Sequence, residues 1–290
     1  MTTPSRLRPT LADPPRLFQP VELVRVNRRD ISGLSLERSP AMATRRVRIA
    51  AVGDLHCTES SAGTFQPLFT RVSEGADILL MAGDLTDAGS QAEARVLARE
   101  LMSLRIPCAA VLGNHDCESG DARAVRQILV DAGVNVLDGE ACELQGVGIA
   151  GVKGFCGGFG IHALAAWGEE MIKQFVREAV NEALKLENAL AHLRSSAKIA
   201  LLHYSPVAST VAGEPPEILP FIGSSRLEEP IDRYSVTFAC HGHAHRGQPD
   251  GLTKTGVPVH NVSLPLMTRM FPERAPFRLL EVSVDGEHPS

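Results

Sequence analysis

The sequence predicts an α/β protein with a parallel sheet and helices covering its faces. From residue 46 onward, short apolar runs typical of buried strands alternate with segments of helical periodicity. Three of these runs end in a glycine followed by an acid or an amide, at intervals of thirty residues, about the length of one βαβ repeat. Two strand–helix units in succession favour parallel strands joined by right-handed crossovers.

Composition limits the class of protein. The chain has 290 residues, of which 44% are hydrophobic, and a formal net charge of −5. This charge argues against binding to nucleic acid or to an anionic membrane over a large surface. The sequence shows neither an apolar run of roughly 18 residues nor a signal-peptide pattern. We therefore expect a soluble, cytoplasmic protein with its six cysteines reduced, and the oligomeric state stays open.

Residues 1–44 differ from the rest of the chain. They are rich in arginine and proline, and basic residues outnumber acidic ones. Because such a composition cannot build a packed core, we predict a mostly disordered extension with a short strand around residues 21–26. A folded domain is expected over residues 45–285. Met42 precedes the first strand of this domain, and we hypothesise that translation starts there.

The first half of the domain consists of three predicted strand–helix pairs. Buried strands are predicted for the apolar runs VRIAAV, DILLMAG and PCAAVLG. A helical pattern lies near residues 65–72, and ARAVRQILVDAG predicts a helix that ends at a glycine. In SQAEARVLARELMSLR, apolar residues at spacings of three and four predict an amphipathic helix: Ala94, Leu97, Leu101 and Leu104.

The second half of the domain combines shorter strands with one long helical segment. A helix or helix pair is predicted over residues 167–194, after the glycine-rich loop GFCGGFG. Strands are predicted in six places: residues 142–144, 147–152, 198–202, 236–239, 257–262 and 279–284.

Polar residues follow the ends of several predicted strands. After the first three strands, in GDLHC, GDLTD and GNHDC, they are Asp54, His56, Asp84, Asp87, Asn114, His115 and Asp116. Because adjacent parallel strands end at one edge of a sheet, we expect Asp54, Asp84 and Asn114 to lie side by side. Two later strands end in LHYSP and GHAH, which supply three histidines: His203, His243 and His245.

These side chains are of the types that bind divalent cations. Carboxylates and imidazoles gathered at one edge would lose solvation energy without a compensating charge. Oxygen and nitrogen ligands without thiolate suit manganese, iron or zinc, and a shared carboxylate can hold two such ions about 3.5–4 Å apart. Glycine before each of these residues allows a sharp turn and leaves room for the ions. The sequence therefore predicts two divalent cations.

The ordered set GDLH, GDLTD, GNHD, LHYSP and GHAH resembles the calcineurin-like metallophosphoesterases, from residue 47 to about residue 265. The resemblance implies a two-sheet α/β/β/α sandwich. It implies one cation held by Asp54, His56, Asp84 and His245, and a second held by Asp84, Asn114, His203 and His243. It also implies attack on phosphorus by a hydroxide that bridges the cations, with His115 as proton donor and Asp87 orienting its ring.

The resemblance leaves the substrate class open. Protein Ser/Thr phosphatases of this family carry an arginine where this chain has Ala88, which argues against a protein substrate. We predict a phosphatase or phosphodiesterase acting on a small phosphomonoester or phosphodiester, cyclic nucleotides included. One alternative is a nuclease of the same family, which the net charge does not favour. The other is a catalytically silent scaffold that binds protein partners.

Five further features lie outside the predicted ligand set. The GFCGGFG loop either cradles phosphate through its amides or forms a tight connection. Residues 212–226, which contain a proline pair, are expected to form a loop on the substrate side. Asp116 is expected to be a structural cap, and His241 is expected to be a structural residue or to support the ligands. Tyr204 is expected to be structural, with a place in the pocket lining as the alternative.

Overall fold

The computed structural model describes residues 22–26 and 44–285. Within residues 22–26 it contains a strand, as predicted, and residue 44 begins the next strand. The disorder expected for the rest of the extension and the proposed start at Met42 lie outside the described residues.

The described strands and helices, numbered in chain order, alternate along most of the domain. The strands are β1 Leu23–Arg25, β2 Thr44–Val52, β3 Ile78–Ala82, β4 Cys108–Val111, β5 Asn135–Val136, β6 Glu140–Leu144, β7 Val147–Val152, β8 Ala197–Leu202, β9 Phe238–His241, β10 Asp250–Leu252, β11 Pro258–Asn261 and β12 Arg278–Asp285. The helices are α1 Gln66–Gly75, α2 Gln91–Leu101, α3 Ala122–Asp131, α4 Glu170–His192, α5 Leu219–Ile222, α6 Glu228–Arg233 and α7 Leu264–Met270.

These strands form two six-stranded mixed sheets. The first has the order β1-β12-β2-β3-β4-β5, and the second has the order β10-β11-β9-β8-β7-β6. In the first sheet β2 to β5 are parallel, as the successive strand–helix units predicted, and β12 is antiparallel to β2. In the second sheet β7, β8, β9 and β11 are parallel, with antiparallel strands at both edges.

One hydrophobic core lies between the two sheets, and the alternation of side chains along β2 shows how it is built. Val47, Ile49 and Ala51 belong to the buried cluster shared by both sheets. Ala50 and Val52 point the other way, into the cluster beneath the helices. Because both faces of the strand are buried over residues 49–52, its sequence there is a continuous apolar run rather than an alternating one.

Helices cover the outer face of each sheet. Phe69 of α1, Leu97 of α2 and Leu129 of α3 pack on the first sheet. Leu186 of α4 and Ile231 of α6 pack on the second. The layers therefore follow the expected α/β/β/α order, and the fold prediction is confirmed.

The sequence prediction missed the shortest elements. Strands β5 and β10 and helices α5 to α7 have seven residues or fewer, too short to show a clear period. Strand β9 begins two residues later than predicted, at Phe238.

Candidate metal centre

The loops after β2 and β3 run side by side, because main-chain hydrogen bonds continue beyond the strands. Asp54 N donates to Gly83 O at 2.9 Å, and His56 N donates to Asp84 O at 3.0 Å. The first two motifs are thereby held in register. Strands β2, β3 and β4 are adjacent and parallel, so the residues that follow them meet at one edge, as expected.

The structure brings together side chains from both sheets. Three groups each place candidate ligand atoms within 4.8 Å of one another: Asp54 with His56 and His245, Asp84 with His203 and His243, and His56 with Asp84 and His115. Asn114 adjoins the second group, since its Oδ1 lies 2.9 Å from His203 Nε2. Every residue predicted to bind a cation therefore lies in one continuous cluster.

One ring nitrogen of His203 faces two oxygen atoms that can only accept hydrogen bonds. Its Nδ1 lies 2.9 Å from the main-chain oxygen of Ala82, so this nitrogen donates. Its Nε2 faces two further oxygens, Oδ1 of Asn114 at 2.9 Å and Oδ1 of Asp84 at 3.4 Å. A neutral imidazole has only one N–H, so Nε2 would then face these two oxygens with lone pairs on both sides. A cation placed among the three atoms would be bound by them.

The imidazole ring of His56 also has nitrogen atoms that are free to bind a cation. Neither of its buried ring nitrogens has a hydrogen-bond partner among the described residues. Nδ1 lies 3.4 Å from Oδ1 of Asp87, and Nε2 lies 3.9 Å from Oδ2 of Asp84. Burial lowers the pKa of His56, which favours the neutral ring with a free lone pair. A divalent cation fits this donor set.

Asp54 is buried yet charged. Burial alone would raise its pKa, but contact with His245 and the nearby histidines holds the pKa below its usual range. Both carboxylate oxygens accept a hydrogen bond from His243 N at 3.0 Å, and His245 Nε2 lies 3.1 Å from Oδ1. A buried anion of this kind requires positive charge nearby.

The backbone is strained where it presents these groups. Asp54, His56, Asp84 and His243 have left-handed φ values of 57°, 45°, 48° and 67°. Non-glycine residues in this region each cost about 1–3 kcal/mol, and such strain is concentrated at functional sites. Four of the seven predicted ligand residues therefore lie in conformations that packing alone does not favour.

Glycines of one motif make room for side chains of another. A Cβ at Gly83 would lie 2.5 Å from Nδ1 of His203, and a Cβ at Gly242 would lie 2.5 Å from Oδ2 of Asp54. Any larger residue would displace these side chains, so the glycines make room for the candidate ligands themselves.

His115 and Asp87 are in contact, but through the main chain of Asp87. Nδ1 of His115 lies 2.6 Å from the carbonyl oxygen of Asp87, whereas the Asp87 carboxylate lies beside His56. Burial alone would lower the pKa of His115; this hydrogen bond and the carboxylates of Asp84 and Glu118 raise it. The orientation of the ring thus depends on a carbonyl group, which the sequence could not indicate.

Asp116 ties the second and third motifs together. It is fully buried and accepts hydrogen bonds from Leu85 N, Thr86 N, Thr86 Oγ1 and Gly113 N, at 2.6–3.1 Å. All its contacts are with the chain around the site, so the structural role expected for it agrees with the geometry.

The cluster opens into a cavity of about 450 Å³. Four predicted site residues line it: Asp84, His115, His243 and His245. The remaining lining residues are Glu214, Pro215, Ile218, Ile222 and Arg246. Four residues of the segment 212–226 thus line the cavity, and its role as a substrate-side loop stays a prediction.

A model of the calcineurin-like phosphoesterase family matches residues 47–247. The chain belongs to this family. Members of the family typically bind two divalent metal ions, and the histidine and aspartate groups of this phosphoesterase could hold such ions.

Solved structures share the fold of this phosphoesterase at low sequence identity. The phosphopantetheinyl hydrolase of Mycobacterium tuberculosis is 14% identical with a TM-score of 0.58, and the match covers 80% of this chain and 94% of that one. The protein TT1561 of Thermus thermophilus is 19% identical with a TM-score of 0.53, over 77% of this chain and 92% of that one. No curated protein matches the sequence.

The structure adds residues of the phosphoesterase site that sequence reasoning missed. Arg246 lines the cavity, and its guanidinium has neither a hydrogen bond nor an ion pair with any described residue. Arg269 donates from Nη1 to the carbonyl oxygen of His245 at 2.7 Å. The position of Arg246 directly after GHAH was the available signal; nothing in the sequence indicated Arg269.

Two residues that the sequence placed outside the ligand set are buried near the cluster. Tyr204 is buried, with its ring centroid 4.6 Å from that of His243. His241 is fully buried against Thr210, and burial lowers its pKa to about 4. Both side chains pack behind the cluster.

At least two amides of the GFCGGFG loop donate hydrogen bonds to other parts of the chain. Gly157 N donates to Pro220 O at 2.7 Å, and Gly158 N donates to Gly223 O at 2.8 Å. These bonds favour the tight connection over the phosphate cradle.

All six cysteines are free thiols. Among the described helices, none combines the length and apolarity that crossing a membrane requires.

Proposed function

We propose that this phosphoesterase hydrolyses a small phosphomonoester or phosphodiester with the help of two divalent cations, of manganese, iron or zinc. The two-sided position of Asp84 carries the proposal. Its Oδ1 lies 3.4 Å from Nε2 of His203, and its Oδ2 lies 3.9 Å from Nε2 of His56. One carboxylate therefore faces two histidine groups, as a bridging ligand does.

The proposed ligands divide between the two oxygens of Asp84. The first cation would be held by Asp54, His56, Asp84 and His245, and the second by Asp84, Asn114, His203 and His243. When bound, such cations lower the pKa of water and offset the charge of a phosphoryl group. The low pKa of Asp54 supplies an anion for the first position. Burial lowers the pKa of His243 to about 3 and keeps that ring neutral for the second.

His115 is the proposed proton donor to the leaving oxygen. Its ring lies edge-on to His56, with centroids 4.6 Å apart, so it borders the cluster. Because Nδ1 bonds to the Asp87 carbonyl, Nε2 is the nitrogen left to donate. Asp87 is the proposed positioning residue for this ring, acting through its main chain.

The lining of the cavity supports a small substrate over a nucleic acid. Apart from histidines, Arg246 is its one basic lining residue among those described, and Glu214 and Asp84 are acidic. A nuclease would need several cationic side chains to follow a phosphate backbone.

Two broader assignments belong to the same proposal. Residues 45–285 would form the catalytic domain, to which β1 adds an edge strand of the first sheet and Val26 adds a buried side chain in the shared core. A cytoplasmic location is supported by the six free thiols.

Hydrolysis of p-nitrophenyl phosphate and bis-p-nitrophenyl phosphate tests the proposal, with manganese, iron or zinc added to metal-free protein. We expect turnover of at least one ester that depends on added metal and stops with chelator. Protein that binds two cations but hydrolyses neither ester with any metal would instead favour the silent scaffold.

A further inference from the structure

Three aliphatic side chains form one wall of the cavity beside the proposed metal ligands. Pro215, Ile218 and Ile222, here called the apolar wall, lie on the segment of residues 212–222 and line the same cavity as His115 and His245. Ile222 is buried, whereas 39% of Ile218 is exposed. Ile222 is therefore packed within the protein, whereas Ile218 leaves apolar surface accessible to a ligand.

The beginning of this segment is fastened to the chain that follows the last histidine motif. Arg246 N donates to Oε1 of Glu214 at 2.6 Å, and Gln248 Nε2 donates to Ala212 O at 2.9 Å. A Cβ at Gly213 would lie only 2.4 Å from Arg246 O, so the backbones of these two segments are in contact.

The end of the segment is fastened to the chain that follows His203. Ser205 N donates to Ile222 O at 3.2 Å, and Ser224 N donates to Ser205 O at 3.0 Å. A Cβ at Gly223 would lie 2.1 Å from Ser205 O. With both ends anchored to motif segments, the apolar wall is held in place relative to the metal ligands.

The chemistry of the wall differs from that of a nucleoside or sugar site. Its three side chains neither donate nor accept hydrogen bonds, and apart from histidines the described lining residues include no aromatic or amide side chain. Hydroxyl groups or base edges placed against the wall would lose their hydrogen bonds to water without replacement. An aliphatic or aryl group would instead remove apolar surface from water.

We propose, on the basis of the proposed function, that the substrate is a phosphate ester whose alcohol part is apolar. The phosphoryl group lies at the carboxylate and histidine cluster, and the alkyl or aryl group lies on the apolar wall. Ile218 is the specificity-determining residue, since it is the most exposed isoleucine of the wall.

Two matched substrate comparisons test this inference in the metal-loaded, full-length protein. The first measures phosphate release from propyl phosphate and from glycerol 3-phosphate; we expect kcat/KM to be at least about tenfold higher for the propyl ester. The second uses n-alkyl phosphates and p-nitrophenyl n-alkyl phosphodiesters from methyl to hexyl. We expect kcat/KM to rise about twofold to fourfold per methylene in the series that the enzyme accepts.

Ile218→Ser is expected to flatten the dependence of kcat/KM on chain length from methyl to hexyl. Glu217→Ser changes an exposed neighbour that does not line the cavity, and it should keep the wild-type slope. Measured turnover with equal rates for propyl and glycerol esters, or a slope that Ile218→Ser leaves unchanged, would overturn the inference. Hydrolysis of no ester at all would instead contradict the proposed function on which it rests.

Discussion

Gly113 lies directly against the carboxylate of Asp84. A Cβ at position 113 would fall 2.0 Å from Oδ1 of Asp84 and 2.3 Å from its main-chain nitrogen. The same Oδ1 accepts a hydrogen bond from His115 N at 2.9 Å. The third motif therefore contacts the side chain of Asp84 in the second motif at two residues. The position of this proposed bridging carboxylate depends on the absence of a side chain at position 113.

Gly113→Ala should displace Asp84 and weaken cation binding at least about tenfold, with a loss of about 1–3 kcal/mol in unfolding free energy from overpacking. Metal content after dialysis and thermal unfolding measure the two effects. Gly75→Ala is the matched control, because a Cβ there meets nothing within 4 Å. Wild-type metal content in Gly113→Ala would contradict the packing described here.

Asp84→Ala should remove both cations, because each proposed ligand set includes this carboxylate. Metal analysis of the purified variant is expected to show the loss of two ions per chain relative to wild type. Asp138→Ala, at an exposed carboxylate paired with Lys185, should keep them. Two ions bound at unchanged affinity in Asp84→Ala would refute the bridging role.

His115→Ala should keep its cations and lose about 10²–10⁴-fold in kcat, because the leaving oxygen would lack a proton donor. The loss should be larger for alkyl esters than for p-nitrophenyl esters, whose leaving group needs less protonation. His192→Ala, at an exposed histidine of α4, should have wild-type rates. A loss independent of the leaving group would remove the acid role from His115.

Asp116→Ala should destabilise the domain by about 2–5 kcal/mol, since it removes a buried acceptor and leaves several donors of the motif loops without a partner. Denaturant unfolding of the metal-free protein isolates this effect from cation binding. Asp121→Ala, at an exposed carboxylate bonded to Gln91, should change stability by less than about 1 kcal/mol. Equal stability of the two variants would show that Asp116 is dispensable.

Arg246→Gln should raise KM for phosphate monoesters about threefold to thirtyfold with little change in kcat, because an unpaired guanidinium at the cavity binds substrate and transition state alike. Steady-state kinetics and inhibition by inorganic phosphate measure the effect. Arg233→Gln, whose guanidinium pairs with Glu187 and Glu229 on the surface, is the control. An unchanged KM and phosphate inhibition constant would exclude Arg246 from substrate binding.

Much of the proposed centre could be predicted because short stretches of sequence reveal the strands and the polar residues that follow them. The apolar runs of β2, β3 and β4 reflect burial on both faces, and the helical segments between them require parallel strands. Once the strands are parallel and adjacent, Asp54, Asp84 and Asn114 must follow them at a common edge. The equal spacing of these residues therefore carried the prediction.

The contact between Asp87 and His115 shows where such reasoning ends. The residue types indicated a carboxylate orienting an imidazole, whereas the structure uses the carbonyl of Asp87 and places its carboxylate beside His56. Every residue carries a carbonyl group, so its use depends on backbone direction and leaves no sign in the residue type.

By itself, the sequence determined the strand–helix order of the first half and the polar residues and glycines that follow its strands, because periodicity and spacing are properties of neighbouring residues. The choice of seven candidate ligands among these and later residues rests on the resemblance to a family. Only the tertiary structure decided that β12 pairs with β2 and that Pro215, Ile218 and Ile222 form an apolar wall beside the ligands. Contacts such as Glu214 with Arg246 join distant parts of the chain. They form because the two sheets bury a shared core, and that burial is a property of the whole fold.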